Sequence, residues 1–324
     1  TMLLSVVATE ISGVTGNNGV YNIDPTAMIN GTNIGYRQYT NFNLSEGDIA
    51  NLIYKYGKNN VETFVNLVDN KININGIVNT MRDGNFYNGK AIFVSPNGMI
   101  VGASGVLNVG SLGVYTPSNA KYNAYKSNPS ADLETLANFN KGGEVTINGK
   151  VFAANDVTIH SGEVNVAKGA GVFAGINENK MAQMTTNNQA ETLFNQLVNT
   201  DNINTANSFA SNNGNISIIA EQGYNGPGGI DIAGTVKNFG TGNTTIQNIG
   251  ANGMNISGEV SNANGRLYLD NDWGDLNISG TVRNNGKTDI SNTPTTGTVT
   301  IWDDGKEYTY QIDRNSGVNI SGTV

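Results

Sequence analysis

Three observations predict an all-β fold: a right-handed parallel β-helix with capping strands, a protruding hairpin and short helical excursions. First, the 324 residues include 41 glycines and 54 asparagines but only 6 prolines. Glycine and asparagine both tolerate left-handed backbone angles, so this composition marks tight turns. Second, the apolar residues between those turns are mostly Ile and Val, which favour strands. Third, one motif recurs: an aliphatic residue, a small residue or Asn, then Gly-x-Val. It stands at Ile232-Ala233-Gly234-Thr235-Val236, Ile256-Ser257-Gly258-Glu259-Val260, Ile278-Ser279-Gly280-Thr281-Val282 and Ile320-Ser321-Gly322-Thr323-Val324. The glycines lie 24, 22 and 42 residues apart, and the last spacing is two periods.

A period near 22 residues fits one coil of a β-helix. A leucine-rich repeat would need its leucine ladder, and a propeller blade about twice the length. Inward residues of each coil stack on those of the next, and corner asparagines can hydrogen-bond along such a ladder. A lone coil does not fold. Ordering its backbone costs roughly 1–2 kcal/mol per residue, whereas each of its few inward Ile or Val side chains returns only about 1.5–3 kcal/mol. Stability therefore has to propagate from neighbour to neighbour.

Residues 1–115 read as a head with longer apolar stretches. Ile72-Asn73-Ile74-Asn75-Gly76-Ile77-Val78 already resembles the repeat, so the stack starts early. Ser45-Glu46-Gly47-Asp48 before Ile49, Leu52 and Ile53 resembles a capping box, while Tyr54 and Tyr56 suit a strand; both readings stay open. Residues 116–213 continue the coils, with related copies at Ile147-Asn148-Gly149-Lys150-Val151 and Ile159-His160-Ser161-Gly162-Glu163-Val164. Two polar excursions interrupt them, with short helices expected over 130–137 and 189–198. The second can lie across a face of the stack through Leu193, Phe194 and Leu197. Residues 214–324 carry the regular coils. Thr298–Trp302 and Glu307–Ile312 alternate in period two around Asp303-Asp304-Gly305-Lys306, which predicts a hairpin. The chain opens on Thr without a basic leader and closes on a repeat copy, so a longer precursor is expected.

The net charge of -8 and the pI of about 4.7 oppose binding to nucleic acid or docking on anionic lipid. No apolar run is long enough to cross a bilayer, so no direct membrane insertion is expected. There is no cysteine, and His160 is the only histidine, which leaves few means for nucleophilic catalysis or a zinc site. His160 reads as an outward residue of a coil. Asp270, Asp272 and Asp275, and the pair Asp303 and Asp304, are explained by turn chemistry, although the first group is also a weak calcium candidate, as is Gly228-Gly229-Ile230-Asp231. No catalytic residue, cofactor or metal is expected. Asn43, Asn215, Asn243, Asn255, Asn277 and Asn319 open Asn-x-Ser/Thr sequons, three of them because the repeat itself spells Asn-Ile-Ser.

The stretch Lys90-Ala91-Ile92-Phe93-Val94-Ser95-Pro96-Asn97-Gly98-Met99-Ile100-Val101 through Val106-Leu107-Asn108-Val109-Gly110 is the most specific in the chain. Pro presets the second position of a turn and Asn-Gly supplies positive φ, so Ser95–Gly98 predicts a tight corner between apolar strands. This stretch resembles the Asn-Pro-Asn-Gly-Ile motif and following Val-Asn-Val-Gly strand in the N-terminal two-partner-secretion domain of filamentous-haemagglutinin-type exoproteins. Asn33–Gly47 and Phe64–Ile77 are similar to the same domain. Among its members, the leukotoxin-type large adhesins of Gram-negative anaerobes look most alike. Ser95 stands where that family has Asn and Met99 where it has Ile, and the family's Asn-Pro-Asn-Leu motif is missing.

The resemblance implies a domain that crosses the periplasm at least partly unfolded. It binds the POTRA domains of an outer-membrane transporter and nucleates β-helix folding outside the cell, so the product is secreted or held at the surface. Host-cell contact would then belong to the full-length protein. The residues implied in recognition or nucleation are Ser95, Pro96, Asn97, Gly98, Met99 and Asn108. Two other readings remain: a glycan-binding β-helix, whose aromatics Tyr224, Tyr268, Trp273, Trp302, Tyr308 and Tyr310 are irregularly spaced, and a polysaccharide-degrading enzyme, for which no carboxylate groove is evident.

Overall fold

The computed structural model describes residues 7–137, 143–200, 209, 213–221, 228–293, 297–303, 306–312 and 317–324, with the backbone alone for 297–303 and 306–312. The chain is a three-sided parallel β-helix. Three ten-stranded sheets run along it, each gathering one strand per coil. Sheet A contains Phe42–Leu44, Ile72–Ile74, Met99–Val101, Glu144–Ile147, Glu163–Val166, Ile230–Ile232, Met254–Ile256, Leu276–Ile278 and Val318–Ile320, all parallel. Sheets B and C follow in each coil, as in Ile77–Arg82 and Lys90–Val94. Antiparallel strands occur at the start, where Glu10–Ile11 pairs Phe42–Leu44 and Ala27–Met28 pairs Ile34–Tyr39, as expected of capping strands.

Strands form where apolar residues alternate, because successive side chains point to opposite faces. In Ile72–Ile74 both isoleucines are buried and Asn73 faces out. Inward residues then stack coil on coil. One column runs Ile74, Val101, Ile147, Val166, Ile232, Ile256, Ile278 and Ile320 in sheet A. Another runs Val78, Leu107, Val151, Val172, Val236, Val260 and Val282 in sheet B. Apart from Ile320, which is half exposed, these columns belong to a single apolar core extending from Ile11 to Val282, which passes residues 115 and 213 without a break.

The recurrent Gly-x-Val motif is the corner from sheet A to sheet B. A β-carbon at Gly280 would collide with the Gly258 carbonyl oxygen, and one at Gly258 with that of Gly234. Stacked backbones leave no room for a side chain there. Gly76 and Gly149 occupy the same corner in earlier coils. The copy at Ile159–Val164 does not: it spans the corner from sheet C to sheet A, one side earlier in the winding. Periodicity alone cannot phase a repeat whose three corners are all built from small residues.

Residues 49–53 are a strand, Ile49–Ile53, pairing both Val20–Ile23 and Ile77–Arg82. Ladder pairing on both edges outweighs the capping-box signal at Ser45. The expected hairpin is present as Gly297–Asp303 against Lys306–Ile312, and it accounts for the doubled spacing before Gly322. Its Asp304-Gly305 turn and the side chains of Trp302, Tyr308 and Tyr310 lie outside the described residues. Among the described residues no helix is long and apolar enough to cross a membrane.

Two insertions cover the outer faces of the sheets. Helix α1, Asn119–Ser127, and a 3₁₀ turn, Leu133–Leu136, lie on sheet C. The helix was not evident in the sequence, and the helix expected over 130–137 shortens to that single turn because Asp132 makes no side-chain cap. Tyr122, Tyr125 and Leu136 close over Val65, Leu67, Ile92, Val94 and Tyr115. Helix α2, Asn187–Asn199, is capped by a Thr186–Gln189 box. As expected, it lies across a face of the stack, burying Leu193 and Leu197 against Ile77, Val106, Phe152 and Phe173 of sheet B, with Phe194 half-buried beside them.

Candidate functional site

The Ser95–Met99 segment is the corner from sheet C to sheet A, and each residue has a mechanical task. Ser95 is buried; its backbone N–H donates to the Tyr115 carbonyl at 3.1 Å and its hydroxyl donates to the Asn70 carbonyl at 2.9 Å. The same hydroxyl accepts from the Asn97 N–H at 3.2 Å, and the Gly98 N–H returns to the Ser95 carbonyl at 3.3 Å. Asn97 is the one exposed residue of the segment, and its side-chain amide donates to the Asp69 carbonyl at 2.8 Å. Gly98 has φ +88°, and a β-carbon there would strike the Glu144 carbonyl oxygen of the next coil. Met99 and Pro96 are buried, Met99 within the main core.

The corner thus binds the coil before it through Asp69-Asn70 and the coils after it through Tyr115 and Glu144. Asp69 is fastened in turn: its Oδ1 accepts from the Tyr122 hydroxyl at 2.8 Å and from Lys126 Nζ at 2.9 Å, so α1 is anchored at this corner. Burial pushes the Tyr115 and Tyr125 hydroxyls up to about 12. Burial also pushes Tyr122 far above the ordinary range, and its hydrogen bond to Asp69 adds to this. A phenol facing a carboxylate in a dry contact resists ionisation.

Asn108 lies elsewhere, on the outer face of sheet B. Asn22, Asn51, Asn79 and Asn108 occupy one column there. Each side-chain amide donates to the carbonyl oxygen of the one before: Asn108 to Asn79 at 2.9 Å, Asn79 to Asn51 at 3.2 Å, Asn51 to Asn22 at 3.1 Å. The segment leading into α2 runs over this ladder. Met184 N–H donates to Asn79 Oδ1 and Asn79 Nδ2 donates back to the Met184 carbonyl, both at 2.9 Å. Asn108 Nδ2 donates to the Ala182 carbonyl at 2.8 Å, whereas its own Oδ1 is buried without a partner. Sequence reasoning singled out Asn108 and missed Asn22, Asn51 and Asn79. Their spacings of 29, 28 and 29 residues were the available signal.

The remaining candidates are separate from both places. His160 points outward from sheet C, with Nε2 2.5 Å from a Glu221 carboxylate oxygen. Asp270 accepts from Ser291 at 2.6 Å and Asp275 from the Gly317 N–H at 2.8 Å, so these carboxylates serve neighbouring coils and do not converge. Among the described residues no three His, Cys, Asp or Glu side chains are grouped to hold a metal ion. The sequon residues Asn43, Asn255, Asn277 and Asn319 share the outward column of sheet A, where Asn319 donates to Asn277 at 2.9 Å. Comparison with protein-family models and with curated proteins finds no match for this chain.

Proposed function

We propose that this chain is the export-signal domain of a large secreted adhesin, recognised by an outer-membrane two-partner-secretion transporter and nucleating β-helix folding at the cell surface, without a catalytic role. The observation that carries the reading is the state of the segment Ser95-Pro96-Asn97-Gly98-Met99, through which the chain resembles that family. Four of its five residues are buried in a closed corner, and only Asn97 reaches the surface. A partner that reads these residues has to meet them before the corner closes. That is the order of events in secretion, where the periplasmic chain is extended and the POTRA domains can take it up as an added strand. Once outside, the corner closes on Asn70 and Tyr115 and the coils stack from local contacts, which favours rapid folding. The acidic surface and lack of cysteine suit passage through a pore and release from the cell.

The test is export from a Gram-negative host carrying the chain behind a signal peptide, with and without the transporter of its own genome. The expected result is partner-dependent appearance in the medium, lost when Pro96-Asn97-Gly98 is replaced by Ala-Ala-Ala. Release that ignores the transporter, or that survives loss of residues 20–115, would sink the proposal. Periplasmic retention of a β-rich product in both hosts would move a glycan-binding role to first place.

A further inference from the structure

We propose that the outer face of sheet B over Asn51, Asn79 and Asn108 is a docking track for an extended peptide, and that residues 181–184 fill it in cis as a displaceable plug. This inference does not depend on the export reading. The track is built to hold backbone. A carboxamide presents the same N–H and C=O pair as a peptide group, and Asn79 uses both on Met184, as one strand does with another. Apolar pockets flank the ladder: Met181 and Met184 are buried among the residues that include Ile77, Val106 and Phe152. The ligand class is therefore an uncharged segment wound so that apolar side chains three residues apart fall on one face, as Met181 and Met184 do.

Two features show that the resident segment fits imperfectly. Asn79 is matched at both of its groups, but Asn108 is matched only at its amide; its Oδ1 is fully buried and receives no donor. The column continues to Phe152, which offers none. The resident backbone turns away at the same point, where the Met181 N–H bonds to Glu178 in a 3₁₀ turn. A straighter peptide would bring its N–H to Asn108 Oδ1, and leaving such an acceptor unpaired favours exchange for a better-matched occupant. In addition, an open pocket of about 400 Å³ is lined by Ala182, Gln183 and Met184 together with Asn188, Gln189 and Leu193 of α2, so the outer side of the segment is only partly covered. Its other holds are the burial of Met181 and Met184 and the Gln183 amide, which donates to Asn51 Oδ1 at 3.4 Å.

The probe is a fluorescein-labelled peptide of residues 181–187, titrated by anisotropy into the full chain. In Met181→Asp/Met184→Asp the plug is expelled, and the peptide is expected to bind at least tenfold tighter than to the parent. Adding Asn79→Leu should remove that binding. A folded double variant that binds no better than the parent, or binding that survives Asn79→Leu, overturns the proposal. If the double variant fails to fold, hydrogen exchange on the parent decides. Exchange of the Met184 amide a hundredfold or more faster than Val78 sustains a displaceable plug, and equal rates overturn it.

Discussion

The coils before residue 200 and those after residue 230 share one cross-section but are held together differently. In the earlier coils the outer faces of sheets B and C are covered: α1 and its 3₁₀ turn close over Val65 to Tyr115, and α2 lies along sheet B. Among the described residues of the later coils, only the coil carrying Lys237 and Phe239 meets α2; beyond it the described outer faces carry no such cover, and asparagine ladders at the corners add to the apolar columns. Asn238, Asn262 and Asn284 form one ladder, with Asn238 donating to Asn262 and Asn262 to Asn284, each at 3.1 Å. Asn248, Asn271 and Asn292 form a second, with 2.8 Å bonds throughout.

The difference teaches how a one-dimensional stack gains cooperativity. A ladder couples each coil only to its neighbours, so stability is a sum of local terms. A cover couples coils far apart. Asn187 of α2 donates to Ser104, while Lys237, in a much later coil, donates from its ammonium to the carbonyls of Leu197, Val198 and Thr200. The covered half should open as a unit, and the bare half coil by coil.

The largest expected effect is alkaline and falls on the covered half. Tyr115 and Tyr125 ionise near 12 in the folded chain and near 10 when unfolded, both because burial disfavours the phenolate. Their contribution is complete below pH 10 and is lost as pH rises from about 10 to about 12, to the extent of a few kcal/mol allowing for their partial exposure. Tyrosinate absorbance and exchange at 119–137 should rise together in that window while 254–284 stays protected; simultaneous loss of both halves would break the distinction.

Gly280→Ala comes next. The atom in the way is a backbone oxygen, so relief requires moving a coil, at about 3 kcal/mol or more. Proteolysis should appear near 276–292 with 42–115 intact, and uniform destabilisation would argue against local coupling. Asn262→Leu removes the acceptor of the buried Thr244 hydroxyl and one of the acceptors of the Asn238 amide, which keeps Gly214, at a cost of about 2 kcal/mol. Denaturant titration should show it as early loss of the later coils alone. Smallest is Lys237→Met, which takes a cation from the C-terminal end of α2 and costs about 1 kcal/mol. Faster exchange confined to the last turn of α2 is the expected signature.

Much of this organisation was legible in advance. The Ile/Val alternation gave the strands, the Gly-x-Val spacing gave the coil, and the Ser95–Gly98 turn chemistry gave its corner. These are local: each depends on residues within one turn of the chain. Helix α1 was not legible because Asn119-Ala120-Lys121-Tyr122-Asn123 has weak helical preference, and it forms where Tyr122 and Tyr125 find sheet C. Strand rather than helix at Ile49–Ile53 was settled by two flanking ladders that lie distant in sequence.

The same division holds for the sites. The sequence by itself determined a solenoid of Ile and Val coils with Gly and Asn corners, because stacking identical corners demands residues without bulk or with self-complementary amides. Only the tertiary structure decided that Asn79 and Asn108 face a returning segment instead of water, and that Ser95, Pro96, Gly98 and Met99 end up buried. The first depends on which surface a later insertion covers, a choice made by packing between parts of the chain 74 to 105 residues apart; the second depends on stacking against the coils that carry Asn70, Tyr115 and Glu144.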